Sequence, residues 1–321
     1  MSLTIVFLDR NMIGPGIVIR RPAFEHEWVD YGATVPGEVV DRLSGAAIAV
    51  TNKVRLTADV LSALPDLRMI AVAATGVDVI DLEACRARQI VVSNIRGYAT
   101  HTVPEHTFAL ILSLMRHLPR YRVEVLDHRW QREGQFCFFN EPIRDLSGAT
   151  LGIIGCGSIG RAVGDIGAAF GMRVLFHDDY VDTAPAGTAL VSLDELLREA
   201  DVVSCHCPLT PETRGLIGAA EFDRMKTTAI VVNAARGGVV DEAALCAAID
   251  ANKIAGAGVD VLTAEPPPAD DPMMRLARHP NVILTPHIAW AGVGAMQTLC
   301  DQLIDNIEAF VRGAPANTVA P

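Results

Sequence analysis

Gly155-Cys156-Gly157-Ser158-Ile159-Gly160 stands between the apolar run Thr150–Gly155 and a helix-like stretch that continues through Arg161. Three glycines in six residues mean little by themselves, but a strand before them and a helix after them make each one necessary. Gly155 permits the tight strand-to-helix turn, Gly157 leaves room for a phosphate beside the backbone, and Gly160 lets the helix lie close on a sheet. Gly164, Gly167 and Ala168 keep roughly the same helix face small. The N–H groups of Ser158 and Ile159, at the helix start, would then point at an anion. A turn of this kind predicts a doubly wound parallel sheet that binds a dinucleotide.

The surrounding pattern agrees. Apolar runs at Thr150–Gly155, Arg173–Asp178, Val202–Cys207, Ala229–Ala234, Gly256–Val261 and Val282–Thr285 alternate with helix-like stretches, which predicts six parallel strands. A second set lies upstream, at Thr4–Leu8, Ala46–Thr51, Met69–Ala74 and Ile90–Ser93. Pro104–Leu118 reads as a long helix capped near His101 or Thr102 and ended by Pro119. A last helix, Gly294–Val311, has no place in the second set, so the chain is expected to return to the first. The fold class is therefore α/β, with two doubly wound domains: residues 1–98 plus 287–321 form one, and a Rossmann domain at 99–286 is inserted into it. The 321-residue length suits two domains, and a composition 50% apolar with only 5% aromatic residues suits aliphatic parallel sheets.

The run Arg173–Asp178 ends in an acid at the distance expected for a ribose-binding carboxylate. A 2′-phosphate would meet Asp178 and Asp179 with no arginine at hand, so NAD(H) is expected rather than its phosphorylated form. Three later runs each end beside one polar residue: Arg236 in NAARGG, Glu265 after GVDV, and His287 in TPHIAW. Ligands bind outside the carboxyl ends of strands in such sheets, so the three would converge. Each has a plainer alternative, as a surface charge, a loop acid and a helix cap. Downstream of a good dinucleotide turn, the three together favour a site.

Other classes are disfavoured. The formal net charge is −11 and no basic run or stripe appears, which argues against nucleic acid. No apolar run is long enough to span a bilayer, and the start of the chain lacks a signal-peptide pattern, so a cytoplasmic protein is expected. Seven scattered cysteines suit reduced thiols, and the Cys205-x-Cys207 pair has no partner pair at metal-ligand spacing, so no metal is expected. Leu126–Asn140 holds Trp130, Phe136, Phe138 and Phe139 in a chain otherwise poor in aromatics. It is either a loop packed on its own domain or an arm across a dimer interface.

Taken with AATGVDVID (Ala73–Asp81), CPLTPETRGLIG (Cys207–Gly218), NAARGGVVDE (Asn233–Glu242), GVDVLTAEPPP (Gly258–Pro268) and TPHIAW (Thr285–Trp290), the chain resembles the D-isomer-specific 2-hydroxyacid dehydrogenase family along essentially its full length. Its NIRGYATHTVPEHTFALILSL segment is most similar to the glycerate dehydrogenase (hydroxypyruvate reductase) branch. The resemblance implies a flavodoxin-like substrate domain and an NAD-dependent oxidoreductase acting on a small 2-oxo or 2-hydroxy acid. It implies that His287 is the acid–base, that Glu265 pairs with it, and that Arg236 holds the substrate carboxylate. It further implies that Thr75 and Gly76 hold that carboxylate through backbone N–H groups. Pro208, Thr213, Ala234 and Asp260 would lie along the cofactor, with hinges near Tyr98–Val103 and Thr285–Gly292 and a homodimeric assembly. Ala73 or Ala74 where many members have Gly, and Val79 where many have Asn, bear on which substrate fits. The absence of a further domain after Pro321 makes end-product feedback unexpected. The alternatives are another substrate within the family (phosphoglycerate, lactate or a bulkier 2-oxo acid), formate-type oxidation, or a non-catalytic NAD(H)-sensing protein of the same fold.

Overall fold

Parallel strands covered on both faces are largely apolar and buried along their length, and that is what the runs become. In the computed structural model, which describes residues 3–320, every residue of β3 (Ile48–Thr51), β4 (Met69–Val72), β6 (Thr150–Ile154), β9 (Val202–Cys205), β10 (Ile230–Asn233) and β11 (Gly256–Val259) is buried. The chain divides into two units, one holding the residues up to Ala99 together with those from Ala291 onward, the other Thr100–Trp290.

The first unit adds β1 (Leu3–Phe7), β2 (His26–Asp30), β5 (Val91–Ser93) and β13 (Thr318–Ala320) to β3 and β4, in the order β13-β5-β4-β3-β1-β2. From β2 to β5 this is the parallel 2-1-3-4-5 arrangement of flavodoxin-like sheets. β13 closes the edge antiparallel to β5, Thr318 opposite Ser93. Leu8, Leu43, Ala49, Leu61, Ile70, Val72 and Cys85 belong to its core. The helix Val293–Val311 belongs to this unit and buries Met296, Leu299, Leu303 and Ile307 at helical spacing.

The second unit is a seven-stranded parallel sheet, β12-β11-β10-β9-β6-β7-β8, completed by β7 (Arg173–His177), β8 (Ala189–Leu190) and β12 (Val282–Leu284). Counted from β6, this is the Rossmann order 3-2-1-4-5-6 with one further strand. Separate cores cover its two faces. One includes Leu196, Val203, Phe222, Val231 and Leu245. The other includes Phe108, Ile111, Ile153, Val163, Val202 and Val232.

Three departures from the sequence expectation have physical reasons. The sheet has seven strands rather than six because β8 is a two-residue edge strand, too short to leave an apolar run. β2 is likewise an edge strand, partly exposed and polar in composition (His-Glu-Trp-Val-Asp). The long helix spans Thr102–Met115 and ends before Pro119: His117 turns left-handed (φ 51°) and Pro119 lies in the first turn of a new helix, Leu118–Leu126. Proline is well placed there, where the missing N–H has no helical partner.

Candidate active site

The glycine turn has the predicted form. Gly155 has φ +102°, a region L side chains rarely enter, and a Cβ there would lie 2.7 Å from the carbonyl of His206. A Cβ on Gly160 would lie 2.0 Å from the Gly155 oxygen. Gly157 differs: a Cβ there would meet nothing within 4 Å. The space beside it, at the start of the helix Ser158–Ala169, is open, and no side chain caps that helix. An open cradle facing uncapped N–H groups fits a pyrophosphate. Asp178, just past β7, accepts the N–H of Cys156 on Oδ2 (2.7 Å) and that of Tyr180 on Oδ1 (2.9 Å). The carboxylate thus ties the turn to β7, and each oxygen keeps a lone pair for a ribose hydroxyl.

On the other side of the turn is His206, the middle residue of the Cys205-x-Cys207 pair, which no sequence motif marks as functional. Its N–H donates to the Ile154 carbonyl at 2.7 Å, and its Nε2 lies 2.8 Å from Ser204 Oγ. Its Nδ1 is buried without a partner among the described residues, and burial lowers the imidazole to about 4. A buried, neutral nitrogen with an unmet hydrogen bond beside the cradle is a second feature that fits a bound dinucleotide. Thr213, in contrast, is engaged within its own loop: its Oγ1 donates to Pro208 O (2.6 Å) and accepts from Thr210 N (2.7 Å), so it shapes the Pro208–Thr213 loop.

The three polar residues singled out follow three neighbouring strands of one sheet. Asn233, Val259 and Leu284 share one register row on neighbouring strands β10, β11 and β12. Arg236 is three residues past the first, Asp260 one and Glu265 six past the second, and His287 three past the third. Asn233 builds the turn after β10: its Oδ1 accepts Ala235 N and its Nδ2 donates to Arg236 O. Ala234 is buried in that turn, and Arg236 Nη1 folds back onto Ala235 O at 2.8 Å. Gly237 lets this turn press against the next one, since a Cβ there would lie 2.1 Å from the Leu262 carbonyl.

The loop after β11 carries Glu265, whose Oε1 takes the N–H of Leu262 (2.9 Å) and whose Oε2 meets His287 Nδ1 at 2.6 Å. Thr263 is held in turn by Glu242, which accepts both its N–H and its hydroxyl. His287 itself has φ 53°. A left-handed residue other than glycine costs on the order of 1–3 kcal/mol and persists where its surroundings impose it. Asp260 does so. Its carbonyl accepts His287 N (2.8 Å), and its 1% exposed carboxylate accepts Ile288 N on Oδ1 and Ala289 N on Oδ2, both at 2.9 Å. Thr285 Oγ1 also donates to Oδ1, at 2.5 Å.

His106, inside the helix Thr102–Met115, was not anticipated. Its Nε2 lies 3.1 Å from Thr285 Oγ1 and 3.5 Å from Asp260 Oδ1. The available signal was its place four and eight residues before Leu110 and Leu114, both buried. Thr75 and Gly76 lie in the first unit, three and four residues past β4. Thr75 Oγ1 donates to Ile95 O (2.8 Å), and Asn94 Nδ2 donates to Thr75 O (2.7 Å).

Comparison with known proteins agrees with this geometry. Residues 108–289 match the family described as D-isomer specific 2-hydroxyacid dehydrogenase, NAD binding domain. The chain is 47% identical over 320 residues to a glycerate dehydrogenase of Methylorubrum extorquens, covering 99% of each. It is 37% identical over 284 residues to a hydroxypyruvate reductase of Blautia hydrogenotrophica, covering 88% of this chain and 87% of that one. Among solved structures, a D-lactate dehydrogenase of Aquifex aeolicus, complexed with NAD and lactic acid, is similar with a TM-score of 0.83 at 31% identity, covering 99% of both chains. The chain therefore belongs to the D-isomer-specific 2-hydroxyacid dehydrogenase family and is an NAD-dependent oxidoreductase.

Proposed function

We propose that this dehydrogenase reduces hydroxypyruvate to D-glycerate, with glyoxylate as a second substrate. The observation that carries the reading is the 2.6 Å contact between His287 Nδ1 and Glu265 Oε2. With Nδ1 turned to a carboxylate, the ring presents Nε2 as the nitrogen that exchanges a proton with substrate. NADH, when bound, supplies the hydride that reduces the 2-oxo carbon. His287 gives the carbonyl oxygen its proton, and Glu265 holds the ring through Nδ1 while it does so. Arg236, whose planar fork matches a carboxylate, holds the substrate acid group and favours the charge that develops on the neighbouring oxygen. The N–H groups of Thr75 and Gly76 are further donors to the same carboxylate. Gly155, Gly157, Gly160, Ser158 and Ile159 receive the pyrophosphate, and Asp178 receives the adenosine ribose. Pro208, Thr213, Ala234 and Asp260 border the cofactor.

Similarity to proteins named glycerate dehydrogenase and hydroxypyruvate reductase supports the choice of substrate. We assign the first unit to the substrate and the second to the cofactor. We also assign a cytoplasmic location; no helix among the described residues is long and apolar enough to cross a membrane. A homodimer is proposed on the segment after His117. Its helices Leu118–Leu126 and Arg129–Glu133 bury no residue, and Phe136 and Phe139 beyond them are 93% and 76% exposed.

The test is loss of NADH absorbance with hydroxypyruvate, glyoxylate, pyruvate and a bulky 2-oxo acid side by side. Fast turnover of the first, alone or with the second, is expected. Preference for the bulky acid would keep the chemistry and overturn the substrate.

A further inference from the structure

The residues that hold His287 are themselves held from the helix Thr102–Met115. Thr102 Oγ1 donates to Ala289 O at 3.2 Å, and one turn later His106 Nε2 meets Thr285 Oγ1 at 3.1 Å. Both ends of the 285–289 segment are thus fastened to a single rigid element. The hydrogen count at its first end is restrictive. A threonine hydroxyl has one hydrogen, and that of Thr285 goes to Asp260 Oδ1 at 2.5 Å. The second neighbour of His106 Nε2 is that same carboxylate oxygen, at 3.5 Å. A bare Nε2 would set a lone pair against two oxygens that offer only lone pairs, so Nε2 must carry a hydrogen.

We infer that His106 is a positioning residue for the reaction. Through an Nε2–H it fixes Thr285, directs the Thr285 hydroxyl onto Asp260, and so sets the carboxylate that holds the N–H groups of Ile288 and Ala289 on the far side of His287. The inference rests on the reading of His287 as the acid. The chain runs His106 Nε2–H to Thr285 Oγ1–H to Asp260 Oδ1, and neither of its two links requires a bound molecule. What it controls is the direction of the His287 ring, and small misplacements of a reacting group are costly, about a hundredfold for 1 Å.

Two measurements test it. In the first, nitrogen-15 NMR of the imidazoles in the cofactor-free enzyme should show His106 protonated at Nε2; a bare Nε2 overturns the inference. The second compares His106→Leu with His106→Gln, whose amide can place an N–H near the position of Nε2, and Thr285→Val with Thr285→Ser, which keeps the hydroxyl. His106→Leu and Thr285→Val should each lower kcat about tenfold or more. NADH affinity, read by fluorescence titration, should stay within about twofold. Gln and Ser should restore most of the rate, and the Leu/Val double variant should be no slower than the slower single, because both break one chain. Equal rates for wild type and His106→Leu, or multiplicative losses in the double variant, overturn it. His287→Ala serves as the separate check: if that variant still reduces substrate, the acid assignment has failed, whatever His106 does.

Discussion

His287 Nδ1 stands 2.6 Å from Glu265 Oε2, while the other Glu265 oxygen takes the N–H of Leu262 at 2.9 Å. The carboxylate is thus anchored to its own loop by one oxygen and orients the ring with the other. Replacing Glu265 by Gln keeps the size and removes the negative charge that faces Nδ1. kcat should fall by about two orders of magnitude, the scale of general acid catalysis. His287→Ala should abolish reduction while NADH still binds. Steady-state rates and fluorescence titration of NADH check both; a Glu265→Gln enzyme at wild-type rate would show that the pair is not used in turnover.

Arg236 tests the other half of the chemistry. Lysine in its place keeps the charge and loses the fork, so KM for the 2-oxo acid should rise about tenfold or more. The affinity for NADH should not follow. An unchanged KM would mean the carboxylate is held elsewhere.

Asp178 should set the choice between the two nicotinamide dinucleotides. Its carboxylate would face a 2′-phosphate as like charge, which costs on the order of several kcal/mol. In Asp178→Ala the preference for NAD over NADP should drop at least about tenfold. NAD binding itself should also weaken, because Cys156 N loses the acceptor that fixes the glycine turn. Competition between NADH and NADPH reads both effects.

The three glycines of the turn should separate by consequence. A Cβ on Gly160 would sit 2.0 Å from a backbone oxygen, so Gly160→Ala should destabilise the fold by about 2 kcal/mol or more. A Cβ on Gly157 meets no protein atom within 4 Å, so Gly157→Ala should cost stability only what a poorer helix cap costs, about 1 kcal/mol or less. Its damage should appear in NADH affinity, lowered about tenfold or more, because the methyl occupies the cradle. Thermal melts without cofactor and NADH titrations distinguish the two. An intact NADH affinity in Gly157→Ala would move the pyrophosphate away from this turn.

Much of this was legible because burial writes itself into sequence. β4 is enclosed on both faces and reads as an unbroken apolar run, and β9, equally enclosed, is interrupted only by Ser204. Strand ends point one way, so Arg236, Glu265 and His287, each following a strand, are expected on one side of the sheet. β2 and β8 escaped because edge strands are short or polar, and β13 because its pairing with β5 joins residues more than 200 positions apart. His106 and His206 escaped for a related reason. Each takes its meaning from a distant partner, Thr285 for one and the turn at Gly155 for the other, and neither spacing nor composition encodes such a partner.

His206 carries a prediction that needs neither substrate nor cofactor. As a residue it is half-buried, but its Nδ1 is fully buried, and burial lowers the group from 6.5 to about 4. The unfolded chain therefore binds a proton that the folded protein refuses. The stabilisation is complete above pH 6.5 and is lost as the pH falls towards 4, reaching about 2 kcal/mol at pH 5. His206→Gln leaves no titrating group there and can still reach Ser204. Going from pH 8 to pH 5, wild type should lose about 5 °C more in Tm than the variant. Acid-labile groups elsewhere act on both proteins and cancel in the difference. Parallel pH dependence in the two would show that folding leaves the proton equilibrium of His206 unchanged, and the unmet Nδ1 beside the glycine turn would then have to be solvated.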